Sequence, residues 1–304
     1  MLPERQATMA APAPLDFAWM LGFLGARAVP GLEEVAGGEY RRAIRLPGHA
    51  AALGVRLGGG PAAPRLALRL AGALAPRAAR DLVRRMLDLD APLADFAARM
   101  SADPLLARIV AVRPGIRLAV YGDPFEGLVR AVLGQQVSVA GARTVAGRMV
   151  RRFGEPAPRL GASELALFPR PALLATAPVA ELQALGLTGA KARAIQALAR
   201  AVAEGALDLV ALAAAPSAAA QAALAALPGI GPWTAGYVAM RSLGHRDAYP
   251  VGDLGVVKAL ARLDPHGRRP SAPDEERIFS AWRPWRAYAA LHLWSSLGVG
   301  GGGG

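Results

Sequence analysis

The sequence of 304 residues contains no cysteine. The missing thiols exclude disulfides, thiolate zinc sites, iron–sulfur clusters and cysteine nucleophiles. Aromatic residues make up only 6% of the chain, and no uninterrupted apolar run is long enough for a membrane-spanning helix. The opening stretch MLPERQATMAAPAPLDF has no long apolar segment after its charges. We therefore expect no signal peptide and a cytoplasmic protein.

Acidic residues are outnumbered by basic ones, 23 to 35, which gives a net charge of +12. Lys191 and Lys258 are the only lysines, so arginine supplies nearly all of the positive charge. A strongly basic chain favours a polyanionic partner, most simply nucleic acid. A GC-rich genome also enriches arginine, so the charge alone does not identify the partner.

Residues 1–88 combine strand and helix patterns. Apolar residues alternate along 53–57 and again along 66–70, with a Gly/Pro-rich linker between them, which predicts a β-hairpin. Residues 40–46 are a third predicted strand, and 17–28 and 77–88 are predicted helices. We expect this part to be an α+β domain.

From residue 92 onward the apolar spacing is helical. Asp123, Pro124 and Glu126 match an N-cap, a first helical position and a capping-box partner. A later helix is predicted over 191–203, and Ser217 is the predicted cap of another. We expect an all-α region over 89–298 and a disordered glycine tail over 299–304.

The segment LPGIG, residues 227–231, lies between two helical patterns. Two glycines two positions apart permit a tight turn with positive φ. Pro232 then suits the start of the next helix. Free backbone N–H groups at such a helix start can bind a phosphate without reading sequence. The same pattern also fits an ordinary helix–helix turn.

Asp253 follows Pro-Val-Gly and precedes the apolar helical run that begins at Leu254. Aspartate is among the best N-cap residues, so a capping role explains it locally. A cap on a helix that faces a cleft is also a positioned carboxylate. Asp247, six residues earlier, is predicted to be structural.

Four segments occur in order and carry a family resemblance. Residues 19–24 (WMLGFL), 125–142 (FEGLVRAVLGQQVSVAGA), 227–237 (LPGIGPWTAGY) and 282–294 (WRPWRAYAALHLW) resemble bacterial DNA-3-methyladenine glycosylase II, of the helix-hairpin-helix DNA glycosylase superfamily. The resemblance spans about residues 15–297. It implies a TATA-binding-protein-like α/β domain over 1–88, followed by an all-α helix-hairpin-helix glycosylase domain in two subdomains separated by a cleft.

The resemblance also implies roles for individual residues. Asp253 matches the catalytic aspartate, and Gln136 lies where some members insert a leucine into the gap left by a flipped base. A monovalent cation at the carbonyls of 227–231 is known in some relatives. The implied base-pocket residues are Phe23, Trp233, Tyr237 and Trp294, and the implied DNA-binding residues are Gln136, Leu227, Gly229, Ile230, Gly231 and Thr234.

The implied activity is excision of alkylated bases such as 3-methyladenine and 7-methylguanine from double-stranded DNA, by a monomer without a membrane partner. Bifunctional relatives carry a lysine where this chain has Trp233, so no strand cleavage is expected. Three alternatives stay open: a glycosylase for deaminated or oxidised bases, a non-catalytic DNA-binding protein, and a basic scaffold protein. His292 is expected to pack, and the candidate phosphate contacts are Arg130, Arg193, Arg241, Arg283 and Arg286.

Overall fold

The computed structural model describes residues 4–46 and 49–298. Its N-terminal part is built on one five-stranded antiparallel sheet with the strand order β1-β5-β4-β3-β2. The predicted tail over 299–304 lies outside the described residues. The strands are β1 (Arg5–Ala10), β2 (Glu33–Ala36), β3 (Glu39–Leu46), β4 (His49–Gly60) and β5 (Ala63–Gly72).

The predicted hairpin is confirmed but is longer than its alternating pattern. Leu53 pairs with Leu70, and the ladder continues to Gly60, which pairs with Ala63. Most of the predicted Gly/Pro linker is therefore strand, and only two residues form the loop. Glycine and proline mark turns in sequence, but at the end of a hairpin these residues also belong to the paired strands.

Two helices accompany the sheet, α1 (Phe17–Arg27) and α2 (Pro76–Met86). Both were predicted within two residues of their ends. Strands β1 and β2 were not predicted. In β1 only alternate residues such as Ala7 and Met9 are buried, and β2 has four residues, so neither leaves a strong periodic signal.

The rest of the chain is helical apart from a two-residue pair of strands, β6 (Glu155–Pro156) and β7 (Ala166–Leu167), so the α+β fold class is confirmed. No described helix is long and apolar enough to cross a membrane. The helices are α3 (Leu93–Met100), α4 (Ala107–Val112), α5 (Pro124–Leu133), α6 (Val139–Phe153), α7 (Pro171–Thr176), α8 (Val179–Ala184), α9 (Gly189–Ala203), α10 (Leu209–Ala214), α11 (Ser217–Ala225), α12 (Pro232–Arg241), α13 (Leu254–Leu263), α14 (Ala272–Ala281) and α15 (Arg286–Ser296).

The predicted start of α5 is confirmed except for its capping box, and the predicted start of α11 is shifted by one residue. Asp123 does cap α5, through a bond from Phe125 N, but Glu126 makes no capping box. Its buried carboxylate binds Arg42 and Arg130 instead. Ser217 is the first residue of α11 rather than its cap, and its hydroxyl donates to the Asp247 carbonyl. Both side chains bond to other groups and not to the backbone N–H that the sequence pattern predicts.

The sheet region and the helical region share one continuous apolar core. Ion pairs also join them. Arg42 of β3 contacts Glu126 of α5, and Asp88 accepts from both Arg246 and Tyr288. These contacts fix the sheet region against the helices that carry the candidate site.

Candidate active site

A cleft of about 870 Å³ opens between the helices. One side is the loop between α5 and α6. The other combines the start of α12, the start of α13 and the end of α15, and the start of α9 closes one end. Its size is typical of a site that takes one small ligand group. We call Trp233, Asp253 and Trp294 the carboxylate wall, and residues 134–138 the wedge loop.

Asp253 lies on the cleft surface and is 7% exposed. Its Oδ1 accepts from Trp294 Nε1 at 2.8 Å and from Val256 N at 3.0 Å, and its Oδ2 accepts from Trp233 Nε1 at 3.0 Å. A carboxylate has about four acceptor positions, so about one is left for a ligand. The predicted N-cap is confirmed, and the same side chain is a fixed negative charge in the cleft.

The backbone around Asp253 is shaped by glycines. Gly252 has a φ of +73° and donates its N–H to the buried Glu275 carboxylate at 2.9 Å. A Cβ atom at position 255 would lie 3.0 Å from the Trp294 ring and 3.1 Å from Asp253 Oδ1. Such contacts are tighter than side chains normally allow. Gly255 therefore leaves the space through which the Trp294 indole reaches the carboxylate.

Three of the four predicted pocket aromatics line the cleft. The Trp233 and Tyr237 rings stack on one face of α12, with centroids 5.2 Å apart and planes 15° apart. Both remain partly exposed. Trp294 is 3% exposed and contacts the cleft from α15. The four-residue spacing indicated the Trp233–Tyr237 pair. Nothing in the sequence indicated that the indoles of Trp233 and Trp294 both donate to Asp253.

The fourth aromatic, Phe23, is not among the cleft-lining residues. It is 1% exposed and stacks between Trp19 and Trp294, at 5.0 and 6.2 Å between centroids. The Arg27 guanidinium lies 3.8 Å from its ring centroid and lines the cleft. The expected contact of Phe23 with a bound base is therefore corrected: Phe23 supports the wall from behind.

The hairpin 227–231 has one positive φ rather than two. Gly229 has a φ of +81°, whereas Gly231 is extended and caps α12. A Cβ at Gly231 would meet nothing within 4 Å, so the helix start faces open space. Ile230 is buried, and Leu227 is half-buried. Thr234 is 3% exposed, so its side chain lies under the hairpin rather than on its outer surface.

The carbonyls of the hairpin are suited to an alkali-metal cation. Those of Pro228 and Ile230 accept no hydrogen bond from any residue that the structure describes, and neutral backbone oxygens are ligands for such ions. The residues present therefore fit the cation that the family resemblance allows. Bound there, it would add positive charge to the face of the hairpin.

The wedge loop carries the one predicted residue with a strained backbone. Gln136 has a φ of +56°, is exposed and lines the cleft. Non-glycine residues seldom adopt this conformation, which points to a constraint at the position. Its neighbour Val137 is also exposed, at 46%. The loop therefore presents two side chains at the mouth of the cleft.

Two residues that the sequence did not single out fix the wedge loop. Gln135 Nε2 donates to the Gly229 carbonyl at 2.9 Å and to Thr234 Oγ1 at 3.0 Å. Lys191 Nζ donates to the carbonyls of Leu133 and Gln135. The wedge loop is thereby bonded to the hairpin and to α9. Neither role has a local signal, because the partners are more than 50 residues away in sequence.

Three of the five candidate phosphate-binding arginines are corrected. Arg130 and Arg286 are buried and paired with carboxylates, and Arg241 is 1% exposed. Arg283 is exposed but pairs with Asp247. Arg193, on α9 near the hairpin, is the one of the five that stays exposed without an acidic partner in the described residues. An arginine-rich sequence does not reveal which arginines are in the core.

Buried arginines lie behind the aromatic pair. Burial alone would raise the pKa of Tyr237, but Arg241, Arg27 and Arg130 outweigh it and hold the pKa below its usual range. Tyr121 and Tyr237 approach each other with their hydroxyls 3.5 Å apart. The back of the cleft is thus electropositive, opposite the charge of Asp253.

Asp247 and His292, which do not line the cleft, behave as predicted. Asp247 accepts from Arg283 and Arg286, away from the cleft, so it is structural. His292 is fully buried against Phe96, with ring centroids 5.3 Å apart, and burial lowers its pKa to about 3. The expected packing role of His292 is confirmed.

Comparisons with known proteins agree with this geometry. Residues 6–123 match the AlkA N-terminal domain, and residues 129–284 match the HhH-GPD superfamily of base excision DNA repair proteins. The chain is 36% identical over 292 residues to DNA-3-methyladenine glycosylase 2 of Escherichia coli, covering 94% of this chain and 95% of that protein. A solved 3-methyladenine DNA-glycosylase from Archaeoglobus fulgidus superimposes with a TM-score of 0.82 at 25% identity, covering 94% of this chain and 96% of that one.

A mycobacterial relative is longer. The chain is 40% identical over 287 residues to the probable bifunctional transcriptional activator/DNA repair enzyme AlkA of Mycobacterium tuberculosis. The match covers 94% of this chain but 55% of that protein, so the chain spans about half the length of this relative.

Proposed function

Because the chain belongs to the HhH-GPD superfamily of base excision DNA repair proteins, with an AlkA N-terminal domain before it, we propose that it is a DNA glycosylase. It flips alkylated bases out of duplex DNA and hydrolyses their N-glycosidic bond, leaving an abasic site. Its substrates are of the 3-methyladenine and 7-methylguanine type. The observation that carries the proposal is the Asp253 carboxylate, held in the cleft by three N–H donors.

Asp253 acts on the sugar. As the bond between the sugar and the base breaks, the sugar becomes oxocarbenium-like and gains positive charge. A carboxylate already fixed by two indoles and a helix N-terminus does not need to reorient when that charge develops, and such preorganisation supplies most of the rate enhancement in many enzymes. The acceptor position left free can also orient the attacking water.

The aromatic side chains bind the base. Trp233 and Tyr237 present a stacked, partly exposed pair to the cleft. A cationic alkylated ring stacks favourably on such faces, by about 0.5–2 kcal/mol per contact. Alkylation also makes the base a good leaving group, so excision of these bases needs no proton donor in the cleft.

The hairpin binds the DNA backbone. Gly231 leaves the start of α12 open to solvent, and free N–H groups at a helix start suit a phosphate. Buried Ile230 anchors the turn, and a monovalent cation at the hairpin carbonyls would strengthen its hold on the phosphate. Because these contacts are with the backbone, binding is independent of sequence. Gln136 fills the gap left by the base.

Further properties follow from the same proposal. The enzyme binds double-stranded DNA as a monomer, has no membrane partner and works in the cytoplasm, where its DNA substrate lies. It excises the base without cleaving the strand. The position that would carry a Schiff-base lysine is Trp233, and the lysine that does line the cleft, Lys191, has two of its N–H groups bonded to backbone carbonyls.

Base release from methylated duplex DNA, with Asp253→Asn beside wild type, tests the proposal. Removing the charge should lower the single-turnover rate at least about a hundredfold, as for other preorganised electrostatic groups. DNA affinity should stay within about threefold, because the hairpin contacts the phosphates. Borohydride added to the same reactions should trap no protein–DNA adduct.

Asp247→Asn is the matched control. It makes the same chemical change six residues away, at a carboxylate paired with Arg283 and Arg286 outside the cleft. Its excision rate should stay near that of wild type. Normal turnover by Asp253→Asn, or equal losses in the two variants, would reject the catalytic assignment. A trapped adduct that disappears in Lys191→Met would reveal lyase activity.

A further inference from the structure

Two buried carboxylates lack a cation partner, and they meet at one turn. The acidic residues buried in the described chain are Glu33, Glu39, Glu126, Asp253 and Glu275. The first three pair with arginines. Asp253 and Glu275 form no ion pair within residues 4–46 and 49–298. The Glu275 carboxylate instead accepts from the backbone N–H of Gly252, the residue just before Asp253.

Glu275 is an expensive residue for the fold. It lies in the first turn of α14 and is 3% exposed. Its one hydrogen bond in the described part of the chain runs from Gly252 N to its Oε1, at 2.9 Å. Burial raises the pKa of Glu275, and the charge of Asp253 raises it further. A carboxylate that is buried without a cation destabilises a protein, so its place beside Asp253 indicates a role in the site.

The Gly252 N–H belongs to the turn that leads into Asp253. Asp253 N donates to the Pro250 carbonyl at 3.2 Å, and Gly252 has a φ of +73°, whereas Val251 has no positive φ. These are the features of a type II turn with Val251 and Gly252 as its central residues. Type I and type II turns differ by a flip of the peptide between the two central residues. The N–H of that peptide is the one that Glu275 accepts.

An ionised carboxylate selects one orientation of this peptide, because it accepts hydrogen bonds and donates none. It binds the Gly252 N–H and repels the Val251 carbonyl, which a flip would turn toward it. Val251 and Gly252 are exposed, and a Cβ at position 252 would meet nothing within 4 Å. Packing therefore does little to hold this part of the turn. Glu275 is the one side chain in the described residues that bonds to its central peptide.

We propose that Glu275 is a positioning residue, which fixes the peptide between Val251 and Gly252 and thereby presents the Asp253 carboxylate to the sugar. Glu275 is not among the residues that line the cleft, so it acts through the turn. Only molecules with the type II turn then carry Asp253 in its reactive position. This inference rests on the proposed glycosylase function. The competing explanation is structural, since an acidic side chain in the first turn of a helix also stabilises that helix.

Single-turnover excision of 7-methylguanine from duplex DNA, at saturating enzyme, tests the inference with Glu275→Leu and Glu275→Gln. Leucine removes the acceptor, so the rate should fall about tenfold as the reactive fraction of the molecules falls. Glutamine keeps an acceptor oxygen, so its rate should stay within about threefold of wild type. DNA affinity should stay within about threefold in both variants, because the hairpin contacts the phosphates.

Glu276→Leu is the matched control, because Glu276 is the next residue of α14 and is exposed. Its excision rate should equal that of wild type. In urea unfolding near neutral pH, Glu275→Gln should be at least as stable as wild type, because a neutral amide is easier to bury than a carboxylate. Equal rates in Glu275→Leu and Glu276→Leu, or equal losses in the leucine and glutamine variants of Glu275, would overturn the inference. Release of no base by wild type would instead reject the proposed function, and this inference with it.

Gly252→Ala tests the turn itself. Alanine disfavours the positive φ of the type II turn, and its Cβ would meet no neighbour within 4 Å. Combined with Glu275→Leu, it should lower the rate by more than the product of the two single losses, because both changes shift the same turn. Losses that only multiply would show independent effects and overturn the inference. If Glu275→Leu does not fold, Glu275→Gln replaces it in this cycle, since an amide can bond to the peptide in either orientation.

Discussion

On the carboxylate wall, the indole N–H groups of Trp233 and Trp294 each donate to one oxygen of Asp253. Asp253 and Trp294 are almost fully buried. Across the cleft, the wedge loop ends in exposed Gln136 and Val137. Its backbone is held in place by the distant side chain of Lys191 and by its own Gln135, whose side chain donates to the hairpin.

The difference follows from what each side must do. A group that stabilises a developing charge works best when it is fixed in advance. A side chain that enters a DNA stack must instead protrude from the protein. The carboxylate wall therefore gains from burial and full hydrogen bonding, whereas the wedge loop needs only a rigid backbone beneath exposed side chains. Loss of one bond should matter far more on the first than on the second.

Among variants that leave the Asp253 carboxylate in place, Trp294→Phe should give the largest effect. It keeps an aromatic ring but removes the N–H donated to Asp253 Oδ1. A hydrogen bond to a charged group contributes about 1.5–3 kcal/mol, so excision of methylated bases should fall about ten- to hundredfold. Single-turnover rates with saturating enzyme measure this directly.

Trp282→Phe is the control for that loss. Trp282 is also buried and also donates its Nε1 to an aspartate, Asp103, at 2.7 Å, but it lies outside the cleft. Its variant should lose stability without losing excision rate once folded. If the two variants lose the same activity, the indole bonds support the fold and not the carboxylate.

The wedge loop allows a comparison of two small residues. Gln136→Ala and Gln136→Gly both remove the side chain, and we expect each to lower excision from duplex about tenfold or less, since unstacking a base costs a few kcal/mol. Glycine also relieves the positive φ, which costs about 1–3 kcal/mol for other residues. Gln136→Gly should therefore be the more stable of the two in urea unfolding.

The outcomes separate backbone from side chain. Single-stranded substrates, which need no gap filled, should be processed by both variants at the wild-type rate. Full activity of Gln136→Gly on duplex would mean that the loop backbone suffices and that Gln136 is not inserted.

The sequence indicated the parts of the site that local chemistry determines. The hairpin needs a glycine with positive φ, and Asp253 is an N-cap before an apolar helix, so both leave short-range signals. Even there, the sequence did not distinguish Gly229 from Gly231, of which only Gly229 has positive φ. The sheet was predicted in β3–β5, with apolar alternation in β4 and β5, and was missed in β1 and β2.

What the sequence could not indicate depends on packing between distant segments. Arg27, Lys191 and Gln135 reach the cleft from α1, α9 and the wedge loop, and each donates to a backbone carbonyl group, which any residue supplies. Arg130 and Arg241 resemble surface arginines until the fold buries them. Charge and spacing name the residues of a site, but their pairing requires the tertiary structure.

The smallest expected effect concerns stability beneath the carboxylate wall. His292 lies on α15 two residues before Trp294, has no hydrogen-bond partner in the described residues, and burial lowers its pKa to about 3. In the unfolded chain its pKa is about 6.5. Between these values the unfolded state binds a proton that the native state does not, so acid destabilises the fold by up to about 1.4 kcal/mol per pH unit.

Urea unfolding at pH 7, 6 and 5 measures this dependence. The free energy of unfolding should fall with pH in wild type and should fall less steeply in His292→Leu. The variant keeps all carboxyl groups of wild type, so the difference between the two slopes reports on His292. Equal slopes would mean that the wall does not depend on a neutral His292, and its rigidity would then rest on the two indole bonds alone.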